Sequence, residues 1–265
     1  MSRKARERID RQEKTVERRD RMLNHDFTSE RATIEEVFDQ STRMVLYRFL
    51  STGVINELNG VVSAGKEARV YWGRTKTGEE RAVKIYLTSS AEFKKGMMMY
   101  IEGDYRFKNV KRDTRSLIST WAQKEFRNLE AATKAKVRVP KPIAVERNIV
   151  IMEFIGKDGV SAPSLKEQPP ENPWKTYRAL LTYMKRLYQK AELVHGDLSE
   201  YNLMAWKGKL IMFDMSQSVP TSHPLAQFLL ERDITNVNRF FSRQGVQVLP
   251  NERIYRQVTE QNVKA

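Results

Sequence analysis

The chain has 265 residues, 40% of them hydrophobic, enough for one mid-sized domain or for two lobes around a shared cleft. It has no cysteine, and its only imidazoles are His25, His195 and His223, which excludes disulfides, thiolate zinc sites and a histidine-built metal centre, so any metal must rest on oxygen ligands. A formal net charge of +14 points to polyanionic partners such as nucleotide, RNA or an RNA-rich particle, and the lack of any long apolar run predicts a soluble, cytoplasmic protein without a membrane span.

Residues 1–30 are mostly Arg, Lys, Glu and Asp, with Ile9, Val16 and Leu23 as a thin stripe, and read as a charged, flexible arm or, alternatively, an RNA-contacting one. Residues 31–57 form a predicted helical extension. Thr33 and Glu36 make a capping box, Ile34, Val37, Phe38, Met44, Val45, Phe49 and Leu50 an apolar face, and Gly53 the stop. Over 58–152 short strand-like runs take over: Val61-Val62, then Val70 to Trp72, then Ala82 to Tyr86, with a hairpin turn at Lys76 to Glu79. Residues 88–116 lack steady periodicity and read as a mobile insert. Helical spacing returns at Leu117, Ile118, Trp121, Leu129 and Ala132, prolines break Val137 to Pro142, and Ile149 to Met152 reads as a buried strand. Residues 153–265 begin with a hinge at 153–156 and a proline-rich loop from Ser161 to Pro173. A helix follows from about Trp174 to Ala191, then two short strands around Gly208 and a last helical stretch from Pro224 to Arg243. This order predicts an α+β fold of two lobes, an antiparallel sheet with one long helix followed by a reduced, mainly helical lobe.

The strongest chemical signal is His195-Gly196-Asp197-Leu198-Ser199-Glu200-Tyr201-Asn202, followed by Leu210-Ile211-Met212-Phe213-Asp214. Phosphoryl transfer needs a carboxylate to take or orient the proton of the nucleophile, and an amide oxygen plus a second carboxylate to hold magnesium against phosphates. Asp197 fits the proton acceptor, Asn202 and Asp214 the magnesium ligands, and His195 a supporting role. A second signal is Ser63-Ala64-Gly65-Lys66-Glu67-Ala68-Arg69-Val70, a small-residue turn between strands whose N–H groups can approach phosphate, though an ordinary hairpin turn reads the same way. The next strand puts Lys84 between apolar neighbours, where an ammonium needs an anionic partner. Glu125 supplies one, four residues after Trp121 and four before Leu129 on the apolar stripe; at the stripe's edge it would reach water instead. Met152, Glu153 and Ile155 stand where a hinge would read adenine by main-chain groups.

Taken together, these motifs, with Trp121-Ala-Gln-Lys-Glu-Phe-Arg-Asn-Leu129 and Asp214-Met-Ser-Gln-Ser-Val219, resemble those of RIO-type atypical serine/threonine protein kinases over roughly residues 34–246. The match looks closest to the RIO-one class of archaeal-like members, since the segment before Gly60 is too short and polar for the winged-helix domain of the RIO-two class. The resemblance implies a protein-kinase-like fold and ATP bound by Ser63, Gly65, Lys66, Val70, Lys84, Met152, Glu153 and Ile155. It also implies magnesium (or manganese) as cofactor, kinase or ATPase activity, and work on the pre-small-ribosomal-subunit particle and its RNA. It further implies that Asp214 can itself accept the phosphoryl group as an aspartyl-phosphate. After Asp214 there is no Ala-Pro-Glu motif and only about fifty residues remain, too few for a long activation loop and a peptide-docking subdomain. Thr114 and Ser116 are candidate autophosphorylation sites, or simply caps of the next helix. Two rival readings are a small-molecule kinase of the aminoglycoside or choline type, which shares the His-Gly-Asp loop, and a non-catalytic ATP-binding scaffold of an RNA particle.

Overall fold

The computed structural model describes residues 38–87, 91–107, 110–111 and 113–260. The charged arm, the Thr33 and Glu36 capping box and parts of the 88–116 segment lie outside the described residues.

Helix α1 (Gln40–Ser51) starts at Asp39, whose carboxylate accepts the Thr42 N–H at 2.8 Å, and stops before Gly53, which takes the left-handed φ of +73° that ends helices. Strands β1 (Glu57–Ala64), β2 (Ala68–Arg74) and β3 (Glu80–Tyr86) follow as an antiparallel meander. Strands β4 (Pro142–Glu146) and β5 (Ile149–Glu153) complete a five-stranded sheet in the order β1-β2-β3-β5-β4. Alternation along each strand splits the sheet's side chains between two layers. Val83, Ile85, Ile149 and Ile151 pack with Val45, Leu46 and Phe49 of α1, whereas Ala82, Tyr86, Val150 and Met152 face the opposite layer. With both faces covered, β3 and β5 are buried almost throughout.

The opposite layer is helix α3 (Thr114–Lys134), capped by Asp113 through the Ser116 N–H at 3.0 Å. The cap is thus Asp113, with Thr114 and Ser116 half-buried in the first turn rather than capping. Between β3 and α3 the segment read as lacking steady periodicity contains helix α2 (Ala91–Ile101), whose Met97, Tyr100 and Ile101 are buried against α3. That expectation is corrected: three consecutive methionines and Gly96 hide an amphipathic period, because the exposed positions are not marked by charge. β4 was not expected either, since Pro140 and Pro142 break the pattern; Pro142 is tolerated as the first residue of an edge strand.

Beyond β5 come the two-residue strands β6 (Gly156–Lys157) and β7 (Val160–Ser161), then helix α4 (Pro173–Lys190), which buries Tyr177, Leu180, Met184 and Leu187. Strands β8 (Leu193–Val194) and β11 (Val219–Pro220) pair with each other, bracketing the hairpin of β9 (Leu203–Trp206) and β10 (Lys209–Met212). Helices α5 (Ala226–Arg243) and α6 (Asn251–Thr259) close the second lobe. One apolar cluster runs from Trp72 and Tyr86 through α3 to α4, α5 and α6, so the two lobes share a core behind the cleft. The two-lobed α+β expectation is met.

Candidate active site

A cavity of about 670 Å³ opens between the lobes, lined by the small-residue turn, by Lys84, Glu125 and Met152 to Ile155, and by Asp197, Phe213 and Asp214. Ser63, Gly65, Lys66 and Val70 all line it. In the turn itself the Gly65 N–H donates to the Ala68 carbonyl at 2.9 Å, drawing β1 and β2 together where the cavity begins.

Lys84 comes from β3 and Glu125 from the sheet-facing side of α3; Lys84 Nζ stands 2.7 Å from Glu125 Oε1 and 3.0 Å from Asp214 Oδ1. The Tyr86 hydroxyl donates to Glu125 Oε2 at 2.5 Å, so both carboxylate oxygens carry a donor. Burial works against the Lys84 charge, but the Asp214 and Glu125 carboxylates outweigh it and raise its pKa. Burial pushes Glu125 up while Lys84 opposes; two donors on its oxygens demand the ionised form, and the pair is a buried salt bridge. Asp214 is desolvated too, yet Lys84 and the Ser216 hydroxyl, donating to Oδ1 at 2.7 Å, hold its carboxyl down to about 2. Asp214 has a φ of +57°, an uncommon left-handed conformation for a residue with a side chain, of the kind that clusters at functional sites.

Across the cleft, Asn202 Nδ2 donates to the Asp197 carbonyl at 2.7 Å and to Asp197 Oδ2 at 2.9 Å, which leaves the Asn202 amide oxygen as a donor atom for a cation. The Phe213 N–H donates to the Asn202 carbonyl at 3.0 Å, joining this loop to the residues that lead from β10 to Asp214. Burial raises Asp197, against the Asn202 hydrogen bond. His195 lies buried, its Nδ1 accepting the Asp197 N–H at 3.3 Å and its Nε2 facing the Phe213 carbonyl at 3.2 Å; burial lowers its pKa to about 4, and the ring is neutral. Gly196 has a φ of +80°, and a Cβ there would stand 2.9 Å from the Gln217 carbonyl, so the loop passes the segment after Asp214 too closely for a side chain.

Sequence reasoning missed several groups. Asp233 on α5 accepts the Gly196 and Leu198 N–H groups, each at 2.8 Å, and burial pushes it up to about 7. Arg232 donates to the Gly196 carbonyl. Glu67 at the cavity rim is raised by desolvation and by Asp214. Glu153 was expected to matter through its backbone. Its side chain also makes a double hydrogen bond with Arg138 at 2.7 and 2.6 Å, and its N–H is taken by the Lys141 carbonyl at 2.8 Å. Among the described residues there is no cluster of three or more His, Cys, Asp or Glu that could hold a metal, and no helix long and apolar enough to cross a membrane.

The RIO domain family model matches residues 69–254. The chain is 44% identical over 211 residues to the RIO-type serine/threonine-protein kinase Rio1 of Haloferax volcanii, covering 80% of this chain and 72% of that protein. It is 41% identical over 239 residues to the serine/threonine-protein kinase RIO1 of Homo sapiens, covering 89% of this chain but only 42% of the human protein. Among solved structures, the Rio2 kinase of Chaetomium thermophilum in an ADP/Mg2+-phosphoaspartate complex superposes with a TM-score of 0.63 at 22% identity, over 84% of this chain and 68% of that one, a likeness of fold. The spacing of the His195 to Asn202 loop, the Lys84 strand and the Glu125 helix thus has its source in descent: the chain belongs to the RIO domain family and is homologous to RIO1 kinases.

Proposed function

We propose that this chain is an ATP- and magnesium-dependent serine/threonine kinase whose cycle passes through an aspartyl-phosphate at Asp214. The observation that carries the reading is Lys84, bonded at once to Glu125 and Asp214, lining one cavity with Asp197, to which Asn202 is bonded. ATP would lie there with its base at the main chain of Glu153 and Ile155 beside Met152, and its phosphates at the turn of Ser63, Gly65 and Lys66, over Val70. Oxygen donors at Asn202 and Asp214 suit magnesium, which takes one or two protein ligands and completes its shell with phosphate oxygens and water; manganese fits the same donors. When bound, the ion neutralises phosphate charge.

Lys84 orients the phosphates, and Glu125 keeps its ammonium aimed. Asp214 Oδ1 is engaged by Lys84 and Ser216; Oδ2 attacks the γ-phosphorus, the bond to the β,γ-bridging oxygen breaks, and ADP leaves with that oxygen. Asp197 then takes the proton of a Ser or Thr hydroxyl, or of water, as that oxygen attacks the aspartyl-phosphate and releases the carboxylate. The two acceptors separate kinase from ATPase turnover. The Chaetomium relative whose structure carries a phosphoaspartate supports this route. Thr114 and Ser116, in the first turn of α3 where added negative charge is favourable, are the chain's own candidate acceptors. The formal charge of +14 supports a partner rich in phosphate, the pre-small-ribosomal-subunit particle and its RNA, met in the cytoplasm. The small-molecule kinase reading loses ground to the named kinase relatives, and the scaffold reading to the assembled carboxylates.

The test is incubation with magnesium and γ-labelled ATP. Hydroxylamine-labile label that disappears in Asp214→Asn is the expected result. Label that resists hydroxylamine and maps only to Ser or Thr would remove the aspartyl-phosphate, and no label with no phosphate release would overturn the whole reading.

A further inference from the structure

Lys124 precedes the ion-paired Glu125 on α3, yet it points to a different element. It is fully buried, and its Nζ donates to the Ser216 carbonyl at 2.9 Å and to the Ser218 carbonyl, with the Trp121 ring centroid 5.2 Å away. Among the described residues no carboxylate forms an ion pair with it. One turn on, Asn128 Nδ2 donates to the Met215 carbonyl at 2.8 Å and to the Ser218 carbonyl at 3.0 Å. Four hydrogen bonds from two side chains of α3 therefore take three of the four carbonyls in the segment that directly follows Asp214.

A lysine sealed among carbonyls is a costly way to fill a core position that leucine or methionine would fill without desolvating a charge. Burial pushes its pKa down to about 7, and in either protonation state it keeps two N–H donors for its two carbonyls. What distinguishes the site is where the gripped residues lead. The Ser216 hydroxyl donates to Asp214 Oδ1, the atom Lys84 also holds, and the Ser218 hydroxyl donates to the His195 carbonyl at 3.0 Å, at the start of the catalytic loop. From the segment between α2 and α3, Arg106 reaches the Asn128 amide oxygen at 2.9 Å while doubly bonded to Asp104. Helix α3 thus addresses Asp214 twice, through Glu125 and Lys84 to the carboxylate and through Lys124 and Ser216 to the backbone that carries it.

We propose that Lys124, assisted by Asn128, is a positioning residue that fastens residues 215–218 to α3 and so fixes the left-handed Asp214 where it meets magnesium. The inference rests on the phosphotransfer reading given above. Partners behind metal ligands change metal affinity or activity about tenfold or more when removed. In the full chain, Lys124→Met is expected to raise the magnesium concentration for half-maximal ATP turnover about tenfold, with magnesium-free ADP affinity at the wild-type value and Lys124→Gln in between. A Lys124→Met protein that loses thermal stability but keeps the wild-type magnesium midpoint would overturn the proposal, since a packing role moves only the first. Should Lys124→Met not fold, Asn128→Ala, which removes two of the four bonds and leaves Lys124 in place, must show the same shift or the proposal fails. If wild type turns over no ATP, the functional reading fails by itself. The magnesium dependence of ADP affinity in the same variants then still decides the positioning role.

Discussion

The two sides of the cleft are held by different physics. On the sheet side, Lys84, Glu125 and Tyr86 satisfy one another directly, and Glu125 is 1% exposed, so each charge there depends on its partner. On the helical side, Asp197 is held through its backbone: Asp233 takes the N–H groups on either side of it, His195 accepts its own N–H, and Asn202 grips its carbonyl. The first arrangement ties the proposed phosphate-binding groups to stability; the second lets the Asp197 carboxylate change while its loop stays in place.

The largest expected effect tests the second half. Asp197→Ala should lower turnover by about 10²–10⁴-fold, the usual worth of a general base, because the Asn202 bond to the carbonyl and the two Asp233 bonds survive the substitution. Nucleotide affinity should stay near wild type. A melting temperature lowered as far as that of a Glu125 variant would erase the distinction.

Glu125→Ala tests the first half. It leaves Lys84 buried with only Asp214, and the Tyr86 hydroxyl without its acceptor, so urea unfolding should show a loss of about 3–5 kcal/mol along with weakened nucleotide binding. Unchanged stability would mean that the ion pair is no more than a surface pair.

The same contrast explains what was legible in the sequence. Lys84 and Glu125 stood out because a charge on an apolar stripe demands a partner, and Asp197, Asn202 and Asp214 because their spacing is a motif. Asp233 obeys the rule that singles out Glu125, since it lies with Leu229, Leu230, Ile234 and Val237 on the buried stripe of α5. Lys124 was beyond that rule, because its partners are main-chain carbonyls about ninety residues away that carry no side-chain signature. Helix α6 buries only Ile254 and Val258, too few apolar positions to announce a helix. The two-residue strands β8 and β11 are defined by each other, not by their own composition.

The smallest effect concerns His195, which supports the loop while remaining neutral. Its pKa is about 4 in the folded protein, depressed by burial, against about 6.5 for a free imidazole. As pH falls below 6.5 the unfolded chain takes up a proton that the folded chain refuses, so stability is lost with falling pH until the folded ring also titrates near 4. By pH 5 the loss should be about 2 kcal/mol. Asp233, raised to about 7, and Glu125, also raised, work in the opposite sense, because their burial cost is relieved on protonation. Their contributions cancel when wild type is compared with His195→Gln at each pH. The measurement is therefore the difference in urea-unfolding free energy between the two proteins from pH 7 to pH 4.5, which should shift in favour of the variant as the solution is acidified. A flat difference would mean that His195 picks up its proton in place as readily as a free imidazole, so that burial on the helical side of the cleft costs the charged ring nothing.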